Sequence, residues 1–229
     1  MTGDSPQHLE LLRSLGRLSR GLSALFWGLP VTLLIFVRTS TKARTEAEPL
    51  DLLGPILTCC ALLYGIFLLG SFRPNERVWQ QALDRTRIFS FCMLGLSPFL
   101  YFKIRLPEEP FFAICSALLA LVSFLFLGSL NFMLQRLSAM LPEQTLRHEI
   151  RFFTVANLYL LALFPVILAS YTVLLRWSAS PSWIKFFLQR YEMFNPWLLL
   201  FLFLLPLAMT MSLIWKTRQV VLHGIFGED

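Results

Sequence analysis

The amino-acid sequence predicts an all-α integral membrane protein with about six transmembrane helices. Hydrophobic residues make up 56% of the 229 residues and charged residues only 15%, and the mean hydropathy is +0.63. This balance lies outside that of water-soluble domains. The charges are confined to short segments between long uncharged runs. Because the ten-residue alternation of a membrane β-barrel strand is absent, we expect these runs to cross the bilayer as helices.

The positions of the spans follow from the lengths of the uncharged runs. A helix rises 1.5 Å per residue, so about 20 apolar residues cross a hydrocarbon core of about 30 Å. The run at 88–102 is the shortest, although Arg87 and Lys103 at its ends can reach the two interfaces. A five-span arrangement without it is the alternative. Within a single membrane domain, 1–229, the predicted spans are 21–37, 52–72, 88–102, 110–135, 152–175 and 193–215.

Basic amphipathic segments precede the odd-numbered spans. In residues 1–20, leucines recur at helical spacing on one face and arginines on another, which predicts an amphipathic helix along the membrane interface. Pro6 can open this helix, since the first helical N–H has no partner anyway. Two further segments have a similar polar face, since Arg77, Gln81 and Arg85 recur every four residues in one and Arg147 and Arg151 are four residues apart in the other. The candidate contacts for lipid headgroups or a protein partner are Arg13, Arg17, Arg20, Arg77, Arg85, Arg147 and Arg151.

The prolines recur with a regular period. Successive members of the set Pro6, Pro74 and Pro142 are 68 residues apart, and each opens an amphipathic segment. A second proline then falls inside each following span and is a candidate helix kink. This pattern predicts three pseudo-repeated helical hairpins, 6–73, 74–141 and 142–229, unless similar hairpin lengths alone produce it. The candidate kinks are Pro30, Pro98 and Pro165.

Basic residues also indicate an orientation. In a six-span arrangement, the side that holds both termini carries twelve Lys and Arg residues and the other side eight. Because cytoplasmic loops are enriched in Lys and Arg, we expect both termini of this cell-membrane protein to be cytoplasmic. The same enrichment explains the net charge of +6 better than nucleic-acid binding does, so no nucleic-acid partner is expected.

Ionisable residues are absent from all six predicted spans, which argues against proton coupling and intramembrane catalysis. The histidines lack a metal-ligand spacing, and no nucleotide-binding loop or nucleophile elbow is found. We therefore expect no cofactor, no metal and no enzymatic activity. A lipid-modifying enzyme would have to use the compact set Glu143, His148 and Glu149, for which a solvated helix face is the simpler explanation.

Two amides stand out among the uncharged polar residues. Asn131 and Asn157 lie on neighbouring predicted spans near the basic side. An amide within a span needs hydrogen-bond partners, so these two are candidates to contact each other or to line a cavity.

The first functional hypothesis is a non-catalytic membrane subunit or scaffold that binds membrane lipids, a protein partner or a second copy of itself. The alternative is a transport permease subunit driven by a separate ATPase, because the layout is similar to that of ABC exporter permeases. That similarity is one of layout without a motif. Mitochondrial carriers also have three two-helix repeats, but their P-x-[DE]-x-x-[KR] signature is missing after Pro30, Pro98 and Pro165.

Overall fold

A computed structural model describes residues 6–41, 50–72, 76–140, 150–163, 166 and 204–222 of the chain. Every regular element in those ranges is an α-helix, which confirms the all-α prediction. Four helical segments there are long and apolar enough to cross a membrane, and they indicate a membrane protein. The helices are α1 Pro6–Thr41, α2 Leu50–Leu69, α3 Arg77–Leu96, α4 Pro98–Arg105, α5 Pro110–Met140, α6 Ile150–Leu163 and α7 204–222.

Three of the four candidate spans contain a predicted span, and the remaining one, Asp51–Leu69, covers all but the last three residues of the predicted span 52–72. The third prediction, 88–102, lies within Arg77–Arg105, whose 29 residues reach about 44 Å. The uncharged part is shorter than the helical segment because charged residues occupy both of its ends. α6 covers the first part of the predicted span 152–175 and α7 the last part of 193–215. The remainder of those two spans lies outside the described residues.

The N-terminal segment, predicted as an interfacial helix, is continuous with the helix of the first predicted span. α1 runs without interruption for 36 residues, about 54 Å, so residues 6–20 continue directly into the first span. The leucine stripe of this segment extends through Leu18, Leu22, Leu25 and Leu29, all buried in the protein core. An apolar stripe of helical period can face either a membrane surface or another helix, and here it faces the protein.

α1 and α2 pack closely and antiparallel through glycines. A Cβ atom built on Gly21 would lie 2.9 Å from the Gly65 carbonyl oxygen, and one on Gly65 would lie 3.1 Å from Leu25 Cγ. Gly28 meets Leu62 in the same way further along. Because these glycines have no side chains, the two backbones can approach closely, as is common for helices in membranes.

α3 and α4 meet at Ser97 at a break in the backbone hydrogen-bond pattern, although the Ser97 backbone itself stays helical, with φ −58° and ψ −34°. Pro98 has no N–H to donate to the Leu94 carbonyl, and the Ser97 hydroxyl donates to that carbonyl instead, at 2.9 Å. The candidate kink at Pro98 thus coincides with the end of one helix and the start of the next. Pro30 lies inside the uninterrupted α1, and Pro165 lies outside the described residues.

The helices form a bundle in which successive helical segments run antiparallel, with α3 and α4 together forming one segment. α2 contacts α3 through Phe67 and Phe91, whose ring centroids are 6.1 Å apart. α5 packs against α3 and contacts α6 where Gly128 meets Leu158. α7 reaches α1, because the rings of Phe26 and Trp215 lie 5.5 Å apart.

This arrangement gathers most of the described basic residues at one end. We call it the basic end: α1, α3 and α6 begin there, and α2, α5 and α7 end there. The opposite end holds Arg38, Lys103 and Arg105. The basic end holds Arg13, Arg17, Arg20, Arg77, Arg85, Arg87, Arg136, Arg151, Lys216 and Arg218.

Candidate functional site

A cleft of about 730 Å³ opens between α3, α5 and α6. Its walls are mainly apolar, with Phe89 from α3, Phe132 from α5 and Leu158 from α6 among them. Two guanidinium groups, those of Arg85 and Arg136, lie on the same cleft toward the basic end. We call it the arginine cleft.

Helical spacing explains how α5 lines this cleft. Leu121, Leu125, Gly128, Phe132 and Arg136 recur at three or four residues and therefore share one face of the helix. Gly128 adds no side chain, which leaves room between α5 and α6. From Arg136 to Leu121 the stripe rises about 22 Å. The cleft thus joins charge at one end to an apolar floor whose length is a large part of the roughly 30 Å thickness of a hydrocarbon core.

A second, smaller cleft of about 390 Å³ adjoins the first and shares Phe132 and Arg136 with it. It adds a third guanidinium group, that of Arg151 in the first turn of α6. All three arginines are exposed. In the part of the chain that the structure describes, none of them forms an ion pair with a carboxylate.

Arg87 is a basic residue whose contacts within the protein indicate a structural role. Its guanidinium pairs with Asp84 at 2.9 Å and lies 5.1 Å from the centre of the Phe67 ring on α2. Gly70 leaves the space that this guanidinium occupies. Arg85, two residues earlier, has no such contacts within the described residues and instead lines the arginine cleft.

The predicted contact residues divide into three groups. Arg85 and Arg151 line the two clefts. Arg147 lies outside the described residues. The other four are exposed at the basic end but line neither cleft: Arg13, Arg17, Arg20 and Arg77.

Arg136 was not among the predicted contacts, although it lines both clefts. A signal was present, since Arg136 follows Phe132 by four residues on the apolar stripe of α5. It comes directly after the predicted span 110–135, a position where a basic residue is expected simply as a flanking charge. Its place on the stripe, rather than its charge, identifies it.

Asn131 and Asn157 meet at a third residue, Thr210 of α7. The Asn131 amide donates to the Thr210 hydroxyl oxygen at 3.0 Å, and the Asn157 amide donates to it at 2.8 Å. Thr210 in turn donates to the Pro206 carbonyl at 2.8 Å. All three side chains are fully buried, so they tie α5, α6 and α7 together in the interior.

This polar junction positions one wall of the arginine cleft. Asn157 directly precedes Leu158 on α6, and Leu158 lines the cleft. Hydrogen bonds made between helices in an apolar environment hold those helices in one relative register. The Oδ1 atoms of Asn131 and Asn157 have no hydrogen-bond partner among the described residues.

Metal-ligating and nucleophilic side chains do not come together in the described ranges. No group of three His, Cys, Asp or Glu residues lies close enough there to hold a metal ion. The four cysteines are free, with Cys59 and Cys115 buried and Cys60 and Cys92 exposed. Among the described residues, the arginine cleft is therefore the candidate functional site.

Comparison of the chain with protein-family models, with curated proteins and with solved structures gives no match.

Proposed function

We propose that the protein is a non-catalytic membrane subunit or scaffold that binds anionic lipid headgroups at its basic end. The observation that carries this proposal is the arginine cleft, in which Arg85 and Arg136 stand at the end of an apolar groove. A phospholipid has the complementary form, an anionic headgroup attached to apolar chains. Arginine is suited to the phosphate because its guanidinium offers several donors in a fixed plane.

The proposal includes a six-span topology. α1, α2, α3 with α4, and α5 supply four spans, and α6 and α7 belong to the fifth and sixth. The basic end then faces the cytoplasm together with both termini, as expected where Lys and Arg are enriched. There an anionic leaflet attracts each nearby Lys or Arg by about 1 kcal/mol.

The cleft distinguishes specific lipid binding from general attraction to a charged surface. Arg13 and Arg17 are exposed on α1 away from the cleft, so they can attract an anionic membrane without holding one lipid. Arg85 and Arg136 adjoin an apolar groove, so they can both attract an anionic membrane and hold one lipid. Lipid that stays bound after purification therefore reports on the cleft.

The test is lipid retention by the full-length protein. The protein is purified in mild detergent from vesicles that contain phosphatidylglycerol and phosphatidylcholine, and bound lipid is measured by native mass spectrometry. We expect Arg85→Glu/Arg136→Glu to lower phosphatidylglycerol retention by on the order of tenfold or more, since a hydrogen bond to a charged group contributes about 1.5 to 3 kcal/mol.

Two double variants with the same charge change are the controls. Arg38→Glu/Arg105→Glu alters two exposed residues of the opposite end that line no cleft, and should retain phosphatidylglycerol as the wild type does. Arg13→Glu/Arg17→Glu alters the basic end outside the cleft and should have a small effect. Equal retention by the wild type and by Arg85→Glu/Arg136→Glu would refute the proposal.

A further inference from the structure

A cleft on the opposite half of the bundle complements the arginine cleft. It has a volume of about 560 Å³ and lies between α1, α4 and α5. Lys103 of α4 lines it, together with the hydroxyl-bearing residues Thr41 and Ser116. We call it the lysine cleft. Each half of the bundle thus has a lateral cleft with at least one cationic side chain.

The two clefts meet at one residue of α5. Phe124 is the one described residue that lines both. Along α5 the lysine cleft extends from Ala113 to Phe124, about 16 Å, and the arginine cleft continues to Arg136, about 18 Å further. Together they cover a hydrocarbon core of about 30 Å. Phe124 is thus the described residue at which the two clefts adjoin.

Polar groups recur along this route. Ser116 and Ser123 line the lysine cleft, and Ser129 lines the arginine cleft. Each hydroxyl donates to a carbonyl of α5 itself, at 2.8, 2.8 and 2.9 Å respectively. Their oxygens keep lone pairs that can accept a further hydrogen bond. A headgroup that moves along α5 would therefore meet polar atoms between the cationic ends.

The wall of the lysine cleft adjoins the break in the third predicted span. α4, which contributes Leu100 and Lys103 to the cleft, begins directly after Ser97. At this point Pro98 cannot donate the usual backbone hydrogen bond. A helix joined to its neighbour by such a break can change its angle at lower cost than an unbroken one.

We propose that the protein moves anionic phospholipids between the two leaflets by passive exchange. The headgroup travels through the two clefts along α5 while the acyl chains stay in the surrounding lipid, and Phe124 forms the barrier between the clefts. The movement follows the lipid gradient and needs no energy source. This inference rests on the proposed lipid binding at the arginine cleft and adds a route to it.

The test uses proteoliposomes with a fluorescent phosphatidylglycerol in both leaflets and dithionite, which bleaches only the outer-leaflet label. Vesicles that hold the wild-type protein should lose the protected label, whereas protein-free vesicles should keep it. Phe124→Ala should speed that loss by on the order of tenfold, and Phe124→Trp should slow it. Phe152→Ala removes a ring that is 70% exposed on α6 and lines neither cleft, so its rate should equal the wild-type rate.

The outcomes separate translocation from binding. Protected label that persists with the wild-type protein would overturn translocation, and cleft-dependent lipid retention in the same samples would leave binding standing. Equal rates for Phe124→Ala and Phe152→Ala would overturn the route along α5. If the wild-type protein showed neither lipid retention nor translocation, both proposals would be overturned. That result is expected if a segment of the chain itself fills the clefts. Helix content measured by circular dichroism confirms that each variant is folded.

Discussion

Thr210 is the residue at which the buried polar contacts of three helices meet. It accepts from two buried amides and donates to the Pro206 carbonyl. In an apolar interior, an amide N–H that loses its acceptor cannot turn to water, so the hydroxyl has more effect there than at a surface. Two amides would lose an acceptor at once if it were removed.

Thr210→Val should lower the free energy of unfolding by about 1 to 2 kcal/mol, near the upper range measured for hydrogen bonds between membrane helices. The change keeps the shape of the side chain and removes only its oxygen. Thr210→Ser keeps the oxygen and should cost less. Unfolding in mixed detergent micelles measures the free energy of unfolding of both variants.

The matched control for Thr210→Val is Ser212→Ala. This substitution removes a hydroxyl two residues further along α7, on an exposed position. It should leave the free energy of unfolding nearly unchanged. If both substitutions had equal effects, the junction would not stabilise the bundle.

At the scale of elements, the pair α1 and α2 is limited by backbone approach. Gly21→Ala should destabilise the protein by about 1 to 3 kcal/mol, because the new Cβ would overpack against the Gly65 carbonyl. Gly95→Ala is the control, since a Cβ there meets nothing within 4 Å. Alanine favours a helix over glycine, so Gly95→Ala should be neutral or stabilising. Thermal unfolding in detergent measures the stability of both variants. Equal stability of Gly21→Ala and Gly95→Ala would contradict the close packing of α1 and α2.

The break between α3 and α4 offers a second test at this scale. Ser97→Ala should cost about 1 kcal/mol while Pro98 is present, because the Leu94 carbonyl then loses its donor. In a Pro98→Ala background the restored N–H can serve that carbonyl, so Ser97→Ala should cost less. A double-mutant cycle on the free energy of unfolding measures the coupling. Additive effects would show that the Ser97 hydroxyl does not replace the proline N–H.

At the scale of the whole molecule, the sequence predicted the helical class and the places of four helical segments that are long and apolar enough to cross a membrane. Both follow from apolar runs whose length matches a bilayer. It could not predict that residues 6–20 continue into the first span, because an apolar stripe does not reveal which surface it faces. The lining of the arginine cleft by Arg136 depends on how α5 lies against α3 and α6. No single stretch of sequence contains that information.

The polar junction shows the same limit. Asn131 and Asn157 were singled out because buried amides need partners. Their common partner, Thr210, was one hydroxyl among many in the apolar runs, and only the placement of α7 selects it. Composition and periodicity identify residues that need a contact, while the packing of separate helices determines which contact they make.

The proposed lipid route requires that the arginine cleft and the lysine cleft open toward opposite membrane surfaces. For this, α3 with α4, and α5, must cross the bilayer. Single cysteines at Ser71, Pro107 and Ala139, in a chain whose four native cysteines are replaced by alanine, test this with a membrane-impermeant maleimide on sealed vesicles. We expect Ser71→Cys and Ala139→Cys to react from one side and Pro107→Cys from the other. Reaction of Ser71→Cys and Pro107→Cys from the same side would contradict the account, because both clefts would then open on one surface.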